Sequence, residues 1–157
     1  MFKLSEAAEK SLRDAGWTPN RSIDISLYET YFLNNNYVLN DTIRFYLKNF
    51  GELILDIPSF GCDTIRDTAH FNAIEAEQSI SRHNVTILER YAKESLVPVG
   101  EVYGNYITIM MSLSGKVYGA YSEFWQFGED MYDYIAGLYQ RRKGKKIHVP
   151  EMENIKQ

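Results

Sequence analysis

Cys62 and His70 are the pair to test first, because a thiol and an imidazole that meet in space make a nucleophile and its base. The surrounding run Ser59-Phe60-Gly61-Cys62-Asp63 lacks the Gly-x-Ser-x-Gly frame of a nucleophile turn and follows only one strand-like segment. A thiol and an imidazole in a loop are the favoured reading. None of His70, His83 and His148 has a second His at the i, i+3 or i, i+4 spacing that sets two metal ligands on one helix face. With a single cysteine as well, no metal set and no cofactor are expected. Gly100, Gly104, Gly115 and Gly119 form no phosphate-binding loop and read as strand ends. Asp63 with Asp67, and Glu75 with Glu77, are paired carboxylates, but their pattern does not separate an acid/base couple from a solvated acidic loop. No enzyme is expected.

Two other groups of residues suit binding rather than catalysis. The cluster Tyr118-Gly119-Ala120-Tyr121-Ser122-Glu123-Phe124-Trp125 sets aromatic rings beside an acid. It reads either as anchor material for a protein interface or as a packed junction of sheet and helix. The run Arg141-Arg142-Lys143-Gly144-Lys145-Lys146 complements the negative end of a helix more readily than it grips nucleic acid or lipid.

Composition narrows the partner. The chain has 157 residues, 45% hydrophobic and 24% charged, which fits one globular domain. Residues 1–140 carry 11 Lys and Arg against 19 Asp and Glu, a net of −8, while residues 141–157 carry six against two, a net of +4. So acidic a body is poorly suited to phosphate neutralisation, so direct nucleic-acid binding is not expected. It suits a basic protein partner, although ordinary solubilising charge explains it too. No apolar run approaches the ~18–20 residues of a membrane span, and Glu6 and Glu9 interrupt any leader-like segment. Cytoplasm is the expected compartment, as a monomer or a weak homodimer.

These residues need elements to position them. Ser5 caps a helix over about 6–15, Gly16 stops it, and Trp17-Thr18-Pro19-Asn20 turns the chain. Helices follow over about 25–33 and from Asn40 or Asp41 to Phe50, the second ended by Gly51 in the same way. A strand covers 53–57, and 59–72 reads as polar and turn-rich, with room for a short strand near Ala69–Phe71. A helix over 81–93 leads to a short edge-like segment at 96–100, where Pro98 cannot donate to a central ladder. Strands at 106–113 and 116–121 meet at Ser114-Gly115, and a last amphipathic helix spans 127–142. The fold class is therefore α+β, with N-terminal helices, a mostly antiparallel sheet packed against helices, and a C-terminal helix. Residues 1–142 form one domain and 143–157 a basic tail prone to fraying.

The segment Ala15-Gly16-Trp17-Thr18-Pro19-Asn20-Arg21-Ser22-Ile23-Asp24 resembles the N-terminal signature of one branch of the SUKH superfamily, bacterial immunity proteins related to the Smi1/Knr4 regulators of yeast. Phe50-Gly51-Glu52-Leu53, Val97-Pro98-Val99-Gly100 and Ser114-Gly115-Lys116-Val117-Tyr118 echo the group in the expected order. Asn20 and Glu52 depart from it, each standing where a glycine is usual. The resemblance implies a non-enzymatic immunity protein that occludes a cognate toxin, frequently a nuclease. Acidic residues would steer the toxin in and aromatic residues would hold it. Asp63, Asp67, Glu75, Glu77, Tyr121, Glu123 and Trp125 are the interface candidates. A scaffold or regulatory module of the Smi1/Knr4 kind is the alternative.

Overall fold

The computed structural model describes residues 4–153, without the side chains of Asp63 and Glu153. Three helices come first: α1 (Glu6–Asp14), α2 (Ser26–Asn34) and α3 (Asp41–Phe50). The Ser5 side chain accepts from the Ala8 amide, a cap that contributes about 1 kcal/mol. At the other end, the Gly16 amide bonds the Arg13 carbonyl and the Trp17 amide reaches back to Leu12. With Gly16 at φ +105°, this is the Schellman arrangement expected of a C′ glycine, and it folds Trp17 onto the core. Trp17 is 4% exposed, and its indole N–H donates to Asn49 of α3.

Gly51 ends α3 for a different reason from Gly16. Its φ is −52°, and a side chain there would collide with the Leu47 carbonyl. The left-handed residue is Glu52, at φ +69°, so the position where a second glycine is usual does carry the strained backbone. Tyr28 offsets that strain by donating its hydroxyl to the Glu52 carboxylate.

The rest is one seven-stranded antiparallel sheet whose strands lie in chain order: β1 (Ile54–Ser59), β2 (Cys62–His70), β3 (Leu96–Val102), β4 (Ile107–Ser112), β5 (Val117–Ala120), β6 (Phe124–Gly128) and β7 (Lys145–Ile147). Helices α4 (Ala73–Gln78) and α5 (Arg82–Ala92) link β2 to β3, and α6 (Met131–Gln140) links β6 to β7. α4 packs on β3, while α6 contacts both β6 and β1, with α1 beside it. A single apolar core joins Phe32, Phe50, Leu55, Ile109, Met111 and Ile135 across these layers.

Three local expectations change and a fourth is extended. Residues 62–70 are a strand, because pairing of Ile54–Pro58 with Arg66–His70 satisfies backbone groups that an isolated polar segment would leave to water. The strand that starts at Leu96 runs on to Val102, and only Glu101 and Val102 pair with β2, so 96–100 pairs with β4 alone, as an edge-like segment with Pro98 should. Residues 124–128 are β6, so the last helix starts at Met131, where Asp130 caps it through the Asp133 amide. Lys145–Ile147 pairs with β6 and covers that edge, and Pro150–Glu153 (α7) docks back through Glu151 onto Arg90 and Tyr91.

Candidate functional site

A meander of this order puts its β1–β2, β3–β4 and β5–β6 turns at one end of the sheet. Those three turns carry Phe60, Tyr106 and Tyr121, each more than half exposed. The rings of Tyr106 and Tyr121 lie 4.1 Å apart between centroids, and interaction with the Tyr121 hydroxyl pushes the Tyr106 phenol up. In the β3–β4 turn, Tyr103, Gly104 and Asn105 all have positive φ, at 58°, 65° and 66°. That left-handed run turns the chain sharply and sets the Tyr103 ring 6.1 Å from Phe60.

Behind this end opens a cavity of about 520 Å³, within the size range of ligand and anchor pockets. Its walls hold Phe60, Tyr103, Tyr106, Trp125, Phe127 and Tyr134, with Asp67 on one side and Arg142 and Lys143 on the other. The Phe127 ring is seated over two glycines, since a Cβ at either Gly119 or Gly144 would overlap it. Trp125 stacks on Phe127 at 5.7 Å and 24°. Arg142 is already held by Asp133 at 2.5 Å and by Gln140 at 3.2 Å, so its charge is largely compensated. Burial, with Asp67 second, raises the Tyr103 phenol, and burial alone dominates the rise at Tyr134.

The fold divides the seven interface candidates. Asp67 and Trp125 line this one cavity, while Tyr121 is not among its walls and reaches it only through its ring contact with Tyr106. Glu123 lies in the β5–β6 turn and pairs with Lys146 at 3.1 Å, tying that turn to β7. Glu75 and Glu77 sit on α4, not in a loop, and α4 covers the face of β2 that carries His70 rather than the one that carries Asp67. Glu77 accepts from the Tyr31 hydroxyl at 3.3 Å. The side chain of Asp63 falls outside the described residues. Sequence reading did not single out Phe60, Tyr103, Tyr106 or Phe127. Three adjoin a turn glycine or asparagine at positive φ, Phe60 before Gly61, Tyr103 before Gly104 and Tyr106 after Asn105, which is the signal that could have marked them.

Cys62 and His70 stand at opposite ends of one extended strand, about 26 Å apart at ~3.3 Å per residue, so they form no couple. His70 instead meets Glu101, 3% exposed, with Nε2 at 3.3 Å from Oε1, and Glu75 at 3.9 Å. Among the described residues this trio alone has metal-ligand proximity. Yet the Asn72 amide donates to Nδ1 at 3.2 Å, which leaves the ring proton on Nε2, a buried atom with no hydrogen-bond partner among the described residues. A metal would need that nitrogen bare and Nδ1 protonated.

The sequence matches the SUKH-3 immunity proteins over residues 4–141. The chain belongs to that family. No match was found among curated proteins or solved structures. As a SUKH-3 protein it has the general role of an immunity protein, which acts by binding a toxin. No helix among its described residues is long and apolar enough to cross a membrane.

Proposed function

We propose that this SUKH-3 protein neutralises one cognate toxin domain by one-to-one occlusion, and that it docks through the turn end of its sheet. One observation carries the placement: three separate turns bring exposed rings Phe60, Tyr106 and Tyr121 to one end of the sheet, where Phe60 and Tyr106 line a cavity together with Asp67 and Trp125. Exposed aromatic rings beside a preformed pocket are the usual material of interface hot spots, because they bury much area at small entropic cost. The body, at −8 over residues 1–140, steers a basic toxin toward this face, and a nuclease is the toxin class with that charge. Asp67, Tyr121 and Trp125 then act at contact. Glu75 and Glu77 act on encounter only, through the field, and Glu123 holds the β5–β6 turn in place.

The test is protection in cells and binding in vitro, using the toxin domain encoded beside this chain. The triple variant Phe60→Ala, Tyr106→Ala, Tyr121→Ala should weaken binding by roughly 100-fold or more, at about 2 kcal/mol for each hot-spot ring that counts. Reversal of Glu75 and Glu77 to Lys should slow association and leave dissociation unchanged. A triple variant that binds and protects like the parent places the interface elsewhere.

A further inference from the structure

The cavity behind the turn end has an unusual balance of walls. Six aromatic rings line it, and Asp67 adds a carboxylate. The opposing charges are Arg142 and Lys143 on the walls and Arg141 near Tyr103, and Arg141 already has a partner of its own. Arg142 is spoken for by Asp133 and Gln140, which leaves Lys143, exposed and on a flexible stem able to point into solvent. An anion entering here would face the rings and Asp67 with one lysine as its partner. A cation would gain the rings and Asp67, opposed by that same lysine. The fold already uses the second kind of contact twice: the Arg82 guanidinium lies 4.5 Å from the centroid of Tyr37, and that of Arg13 5.7 Å from Trp17.

We infer that the cavity lined by Trp125, Phe127, Tyr103 and Asp67 is an aromatic cage that receives an arginine side chain from the toxin. The proposal rests on the docking face above and adds the chemistry of the anchor. The guanidinium plane stacks on a ring face while its N–H groups reach the Asp67 carboxylate. The volume, about 520 Å³, leaves room for the aliphatic stem and part of the loop that bears it. Selectivity follows from the walls. A neutral side chain of the same length would keep the apolar contact and lose both electrostatic contributions.

The experiment needs no toxin. N-acetyl-arginine amide is titrated into the full chain and followed by nitrogen-edited NMR, with N-acetyl-citrulline amide as the uncharged isostere and naphthalene-2-sulfonate as the anion. The arginine probe should give saturable shifts at the Trp125 indole and the Tyr103 and Tyr106 amides, with a Kd of order millimolar for so small a ligand. Citrulline amide should bind roughly three- to tenfold more weakly. Asp67→Asn should weaken the arginine probe by a similar factor. Lys143→Gln, at an exposed position where folding is not at risk, should tighten it. Equal binding of arginine and citrulline amides, tighter binding of the sulfonate, weakening by Lys143→Gln, or no saturable shift at all would each overturn the cage. Those outcomes leave the docking face standing, because only the ring variants tested against the toxin decide that.

Discussion

Replacing Asn49 by Ala should unfold the junction between the first turn and α3, and the size of the loss follows from its bonds. Asn49 is 1% exposed, and its Oδ1 accepts from Trp17 Nε1 at 2.9 Å. Its Nδ2 donates to the carbonyls of Pro19 at 3.2 Å and Arg21 at 3.0 Å. Without the side chain, the buried indole N–H has no acceptor, which costs about 1–3 kcal/mol. The two carbonyls lie in a partly exposed turn where water replaces the donor, so each bond lost costs about 0.5–1.5 kcal/mol. The better helix propensity of Ala returns about 0.5 kcal/mol. The sum is about 3 kcal/mol. With a urea m-value of about 2 kcal/mol per molar, the midpoint should fall by about 1.5 M, and Tm by roughly 6–12 °C. Trp17→Phe removes the donor and strands the acceptor instead. The double variant should therefore lose at least about 1 kcal/mol less than the two singles together. Strictly additive losses, or a midpoint shift below about 0.3 M for Asn49→Ala, would refute the assignment. Toxin binding should be unchanged wherever the variant is folded, since this junction lies at the far end of the sheet from the turn tips.

Three further outcomes follow from particular backbones and pairs. Lys93 caps α5 at φ +62°, so Lys93→Gly should stabilise the chain by about 1 kcal/mol and raise Tm by roughly 2–4 °C in calorimetry. Gly119→Ala should displace the Phe127 ring and cost about 1–3 kcal/mol, read as a lower midpoint together with altered Trp125 fluorescence. The Tyr91 hydroxyl first, and Arg90 after it, hold the Glu151 carboxyl below its ordinary value of 4.5. A lowered folded-state pKa contributes stability that is present above the unfolded value and lost as pH falls through the folded one. Wild type and Glu151→Gln should therefore differ at neutral pH and converge in acid. A gap that persists below the folded value would disprove the linkage.

Much of the helical half was legible locally. Ser5, Asn40 and Ser81 each accept from an amide three residues on, and the buried stripe Ile43, Leu47 and Phe50 follows the helical period. Leu12, Gly16 and Trp17 close their helix in a motif of six residues. Phe45, on the same helix as Phe50, is half exposed, because helical spacing ranks faces and does not say how far burial extends. The hairpin at Ser114-Gly115 was equally readable, since Gly115 at φ +96° is a requirement of the turn itself.

What the chain's order of residues determined by itself was thus everything set within one or two turns of backbone: caps, stops and the α+β class, together with the resemblance to the immunity family. Tertiary structure decided the rest, because a strand's partner and a cavity's walls come from residues far apart in sequence. Polar segment 62–70 is a strand because it pairs with β1, β3 gains β2 as a second neighbour only at Glu101 and Val102, and the tail at 145–147 pairs with the otherwise open edge of β6. The acidic residues read as one loop were parted onto β2 and α4, on opposite faces of the sheet. Asp67, Trp125 and Tyr103 were brought to one cavity, since a seven-stranded meander gathers alternate turns at one end whatever their distance along the chain.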